Sequence, residues 1–104
     1  MIAEITSRRE ELRALCHRFG VRRLDVFGSA ARGADFDPTT SDVDFLVEFA
    51  GVEHELAGFF EFKAALEALF ARRIDLVDRK AIERSRNYIR KRHILAAAEP
   101  VYAV

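Results

Sequence analysis

Asp42 and Asp44 stand at the head of a run, Val43 to Phe49, whose other residues are apolar except for Glu48. Side chains of a strand alternate between its two faces, so Val43, Phe45, Val47 and Phe49 form one uninterrupted apolar face, and Leu46 adds to the other. Apolar residues on both faces mark a central, largely buried strand. Carboxylates at i and i+2 then lie side by side on one face, about 7 Å apart along the strand. Burying such a pair without partners costs several kcal/mol, so something must neutralise it. One solution is ion pairing with Arg22, Arg23 or Arg32, without any metal. The other is a cation held between the carboxylates.

The stretch just upstream favours the cation. Val26-Phe27 reads as the end of a first strand, and Gly28-Ser29 as a tight glycine turn opening into one helical turn, Ala30-Ala31-Arg32, which Gly33 stops. A glycine turn leading into a helix exposes backbone N–H groups and a positive dipole end, a place for phosphate. Arg32 projects from the same turn. Its guanidinium suits phosphate oxygens, as a triphosphate ligand, or a clamp on the site's carboxylates; an ordinary surface ion pair is the alternative. Hard oxygen ligands suit Mg²⁺, which is commonly held by one or two carboxylates plus substrate phosphates. The two strand ends therefore point to a metal-bridged nucleoside triphosphate.

Elsewhere the pattern is that of a small α/β domain. Ser7-Arg8-Arg9-Glu10 has capping-box spacing, and Leu12, Leu15, Cys16 and Phe19 follow at helical intervals until Gly20. Cys16 belongs to the apolar stripe and reads as packing; His17 reads as a surface residue. Asp25, on the first strand, is expected on a solvent side of an edge or half-exposed strand, with a place facing the site as the alternative. Ala34 to Ser41 is a loop by its breakers and hydroxyls, with Ser41 placed to hydrogen-bond locally and hold Asp42. Residues 53 to 71 carry Leu56, Phe59, Phe60, Leu66, Leu69 and Phe70 on a helix whose phenylalanines are expected in the core, with His54 on the surface at its entry. Arg72 to Asp78 reads as a third strand. If it pairs beside the second, Asp75 joins Asp42 and Asp44 in a cluster of three carboxylates. Asp78 is placed as a helix N-cap, and a single helix is expected from Arg79 to about Ala98, with an apolar tail from Val101 to Val104 that folds back or forms an interface.

Composition narrows the setting. The 104 residues are 50% hydrophobic and 33% charged, and no apolar run approaches the length of a membrane span. With no secretion signal and a lone cysteine, a cytoplasmic chain of one domain, 1–104, is expected. The formal charge is zero but uneven: residues 1 to 78 hold 10 Lys and Arg against 15 Asp and Glu, whereas 79 to 93 hold 7 against 1. That basic block is either a solvated face or a surface for an acidic partner or nucleic acid.

Gly28-Ser29, Arg32-Gly33, Ser41-Asp42-Val43-Asp44 and Asp75 together resemble the minimal nucleotidyltransferases of the DNA polymerase β-like superfamily. More narrowly, nearly the whole chain is similar to the MNT-type antitoxins that pair with HEPN-domain toxins. One departure is that twelve residues lie between Ser29 and Asp42, more than the family's commoner spacing, with Ala34 to Thr40 absorbing the difference. The resemblance implies an α/β (α+β) fold, a mixed sheet of three to four strands flanked by helices, with the active site at one edge. It implies that Ser29 and the adjacent backbone at Gly28 hold nucleotide phosphates, beside Arg32 as read above, that Asp42 and Asp44 ligate two Mg²⁺ ions, and that Asp75 ligates the catalytic metal and assists the nucleophile. It further implies transfer of AMP from ATP to a tyrosine hydroxyl of a HEPN RNase toxin, silencing it. A non-catalytic antitoxin acting by occlusion is the competing reading, and nucleic-acid modification a third. Neither a membrane nor direct nucleic-acid binding is expected.

Overall fold

The computed structural model describes residues 1–51 and 56–104, apart from the Leu56 side chain. His54 therefore lies outside the described residues. Two short helices, α1 (Ala3–Thr6) and α2 (Arg9–Arg18), lead into β1 (Val21–Phe27), the single turn α3 (Ser29–Arg32) and β2 (Val43–Phe49). A long helix, α4 (Leu56–Phe70), crosses to β3 (Ile74–Asp78), followed by α5 (Arg79–Glu83), α6 (Tyr88–Ala97) and β4 (Glu99–Ala103).

The strands form one mixed sheet in the order β3-β2-β1-β4, so the sheet has four strands, at the upper end of the expectation. β1 pairs antiparallel with β2 and with β4, and β2 runs parallel to β3. Parallel neighbours need a crossover, which α4 supplies.

Alternation along the strands sorts the side chains onto two faces. One face carries Leu24, Val26, Val43, Phe45, Val47 and Phe49 into the main core, with Ile5, Leu12, Cys16, Phe62, Leu66 and Phe70 from the helices above it. Phe62, Leu66 and Phe70 recur every fourth residue along α4, which is one helical stripe. Phe60 falls off that stripe and is 54% exposed, against the expectation that the helix's phenylalanines are all core; Phe62 takes the inner place. The other face carries a smaller cluster of Leu46, Ile82 and Ile94, against which Phe27, Val77, Leu95 and Ala98 pack.

Several local expectations require correction. Ser7 does not cap α2: it follows α1, its hydroxyl donates to the Glu4 carbonyl at 3.2 Å, and Arg8 takes the N-cap position without a side-chain cap. The upstream residues form their own helix because Ile5 is drawn into the core. The single C-terminal helix is in fact two. Ser85 accepts from the Asn87 N–H at 3.1 Å and Asn87 caps α6 by accepting from the Arg90 N–H at 3.1 Å, local bonds that compete with a continuous helix. Asp78 caps α5 as expected, accepting from the Lys80 N–H at 3.0 Å. The apolar tail folds back as β4 on the edge of β1. Gly20 follows α2 with φ +67°, and Ala71 follows α4 with φ 52°, the non-glycine residue in a left-handed conformation among those described.

Candidate active site

The register of the central strands assembles the carboxylates. Asp44 is the cross-strand partner of Asp75 in the parallel β2/β3 pair and of Phe27 in the antiparallel β1/β2 pair. Asp42 lies two residues upstream, just before β2 begins, and is exposed, as is Asp75; Asp44 sits deeper, half-buried. Three negative groups thus meet where β1 ends and β2 and β3 begin.

Electrostatics registers that meeting. Burial pushes the Asp44 carboxyl up from the ordinary 3.8 to about 6, and the negative charges of Asp75 and Asp42 and a hydrogen bond with Asp75 push the same way, with Arg32 opposing. The cations that could have neutralised the pair from within the chain are committed elsewhere. Arg22 approaches Glu48 at 3.7 Å, Arg23 binds Asp25 at 2.8 Å, and Arg32 binds Asp35 at 2.7 Å. Among the described residues the cation nearest Asp42 in an ion pair is Arg73, at 3.7 Å with both side chains largely in water. A screened contact of that kind contributes little.

Gly28 forms the other wall. It has φ +70° and caps α3, and a Cβ placed on it would run into the Asp44 carboxylate. The strand-to-helix turn therefore lies directly against the acidic group, a proximity only glycine permits. Helical hydrogen bonds begin with the Ala31 and Arg32 N–H groups, both donating to the Gly28 carbonyl, so the N–H groups of Ser29 and Ala30 precede the bonded turn. Arg32 differs from the rest of the expected set: its guanidinium is exposed and forked onto Asp35, and it reaches Asp44 only through its charge. The loop that leads to Asp42 is internally tied. Asp37 accepts from the Thr39 N–H at 2.9 Å and Ser41 Oγ accepts from the Asp37 N–H at 3.0 Å, while Arg72 donates to the Ser41 carbonyl at 3.4 Å.

As a donor set the cluster is hard oxygen throughout, open to solvent on one side and in excess of negative charge, which fits a magnesium-like ion that keeps water and phosphate ligands. Among the described residues no three His, Cys, Asp or Glu side chains close into a cage that would hold an ion unaided.

Asp25 has no place in that cluster, and neither does it face solvent as expected. It is fully buried, held by Arg23 Nε at 2.8 Å and by Arg79 Nη2 at 2.6 Å. β4 covers the flank that would have left β1 at an edge, and Arg79 reaches over from the start of α5. His17 is exposed and Cys16 is buried in the core, where burial pushes its thiol up to about 12, an unreactive position.

The chain belongs to the nucleotidyltransferase domain family, whose model matches residues 8–96. Its similarity to individual proteins is narrower. It is 42% identical over 79 residues to the protein adenylyltransferase MntA of Thermococcus cleftensis, which covers 76% of this chain and 74% of that one. A solved structure described as a candidate minimal nucleotidyltransferase matches it with a TM-score of 0.72 and 34% identity over 92% of this chain and 91% of that chain. The same fold, at 16% identity and a TM-score of 0.64, occurs in a complex of a tri-AMPylated HEPN toxin of Shewanella oneidensis with an MNT antitoxin; the match covers 96% of this chain and 73% of that chain.

Proposed function

We propose that this protein is a nucleotidyltransferase antitoxin that moves AMP from ATP onto a hydroxyl, that of a tyrosine, of a cognate HEPN RNase toxin and thereby neutralises it. The observation that carries the reading is the half-buried Asp44, which stands beside Asp75 in the β2/β3 register and is raised to about 6 by burial and by Asp75 and Asp42, with Arg32 opposing only through its charge. Such a perturbed cluster is costly unless it serves a ligand. The 42% identity to a protein named as an adenylyltransferase supports AMP as the group moved.

In this reading Asp42, Asp44 and Asp75 hold two Mg²⁺ ions, which when bound stabilise charge at the α-phosphate and make the attacking hydroxyl more acidic. The Gly28-Ser29 turn holds the triphosphate through its backbone N–H groups and the Ser29 hydroxyl. Asp75, at the open lip of the cluster, orients the acceptor hydroxyl and takes its proton. The acceptor oxygen bonds to the α-phosphorus, the bond from that phosphorus to the bridging oxygen breaks, and pyrophosphate leaves. Arg32 steadies the phosphates once it exchanges Asp35 for them.

The test is intact mass spectrometry of the purified HEPN-domain partner after incubation with this protein, ATP and Mg²⁺. The expected result is a gain of one or more AMP units, absent when the Asp42→Asn, Asp44→Asn double variant replaces the wild type. A double variant that remains folded and still protects cells, with no adduct in the wild-type reaction, would establish neutralisation by occlusion instead.

A further inference from the structure

The C-terminal basic block splits into residues the fold consumes and residues it leaves outside. Arg79 is consumed by Asp25, and Lys91 donates to the Glu83 carbonyl at 2.7 Å. Arg84, Arg86, Arg90 and Arg92 are exposed and make no ion pair with any described residue. Among these cations two large apolar side chains stand in water, Tyr88 at 70% exposed and Ile89 at 72%. Along α6 they begin a shallow apolar stripe that continues over Arg92 and His93 to Ala96 and Ala97.

The helix that bears the stripe packs, by its opposite side, on the sheet face of the carboxylates. α6 packs through Ile94, Leu95 and Ala98 on Leu46, Phe27 and Val77. Phe27 is the cross-strand partner of Asp44, Leu46 follows Asp44 by two on the same face, and Val77 follows Asp75 by two. The helix therefore lies on the sheet face that bears the acidic cluster. Its C-terminal end leads into Glu99, paired with Val26 just before the Gly28 turn.

We infer that the outer stripe of α6 is the surface on which the acceptor protein docks, and that it receives an acidic surface with apolar side chains at its centre. This rests on the transferase reading for the identity of the occupant. Charge complementarity favours a protein of that kind: four unpaired arginines surround Tyr88 and Ile89, and aromatic, aliphatic and arginine side chains together form the usual anchors of protein interfaces. Nucleic acid is the poorer occupant, because residues 1 to 78, which carry the adjacent site, hold 15 acidic against 10 basic residues.

The test compares wild type with Ile89→Asp and with Arg90→Glu, Arg92→Glu, all exposed positions, with melting temperatures and binding of a non-hydrolysable ATP analogue as controls. Binding of the purified cognate HEPN-domain protein, measured by calorimetry without nucleotide, should weaken roughly tenfold or more in both variants. In the AMP-transfer reaction KM for that protein should rise to match while kcat holds. Variants that bind and modify the partner as the wild type does would overturn the inference, as would a wild type that does not bind it. Loss confined to binding of a single-stranded RNA oligonucleotide would assign the stripe to nucleic acid and also overturn it. If the variants lose partner binding while the wild type transfers no AMP, the docking surface stands and the transferase reading falls.

Discussion

The two faces of the sheet are built from alternate residues of the same strands yet obey different rules. On one face Val43, Phe45 and Val47 are wholly buried under α1, α2 and α4; on the other Asp44, Leu46 and Glu48 share the surface with Asp25 and Asp75. Packing on the first face is continuous, and its free energy tolerates strain on the second. The second is only partly covered, by α5 and α6, and it carries two kinds of acid. Asp25 is fully enclosed and satisfied by arginine; Asp44 is half-enclosed beside Asp75 and Asp42, with Arg32 opposing them only through its charge. The contrast separates an acid that the fold satisfies from one that the proposed function assigns to a ligand.

Four substitutions break or sharpen that contrast. The largest loss belongs to the packed face: Phe62→Ala, which removes a ring touching Phe19 and Phe49 at 5.5 and 6.0 Å between centroids, should cost about 3–5 kcal/mol in urea unfolding. Next, Asp25→Ala leaves the largely buried Arg79 without its acid and should cost about 2–4 kcal/mol, with the thermal midpoint lowered at every ionic strength tested.

Asp44→Asn should act with the opposite sign. Asp44 is raised from 3.8 to about 6, so the folded chain holds a proton there that the unfolded chain has released. Its contribution is fully present below about 3.8 and is lost as pH rises through about 6, leaving an ionised, crowded carboxylate at pH 7. Removing that charge should stabilise the metal-free protein at pH 7 by about 1–2 kcal/mol, after allowance for solvent screening, and by nothing at pH 3.5. Calorimetry at the two pH values, with and without Mg²⁺, checks it: added Mg²⁺ should raise the wild-type midpoint and leave the variant's unchanged. The smallest effect is expected at Ala71, whose φ of 52° is natural to glycine; Ala71→Gly should stabilise by up to about 1 kcal/mol, visible as a higher urea midpoint at unchanged m-value.

What was legible in the sequence was whatever repeats with the period of its element. The alternation from Asp42 to Phe49 places the carboxylate pair, and the acid inside the apolar run Ile74 to Val77 marks Asp75. Gly28 before Ser29 marks the turn. Expectations failed where a local pattern met a distant group. Asp25 reads as solvent-facing because nothing near it in sequence announces Arg79, 54 residues on. Phe60 reads as core because a helix dense in phenylalanine does not declare which stripe faces inward. The break at Ser85 and Asn87 was obscured by a basic pattern that looks continuous.

The chain's own order of residues thus determined the strands, the glycine turn and the presence of three acids needing neutralisation, since these follow from side-chain period and backbone sterics within a few residues. Only the tertiary structure decided that Asp75 stands beside Asp44, because that depends on the parallel register of β2 and β3 across the α4 crossover. It also decided that Arg22, Arg23 and Arg32 pair with Glu48, Asp25 and Asp35 and not with Asp42 or Asp44. Pairings of this kind are made between segments far apart in the chain, where short-range pattern carries no information about which partner a charge will meet.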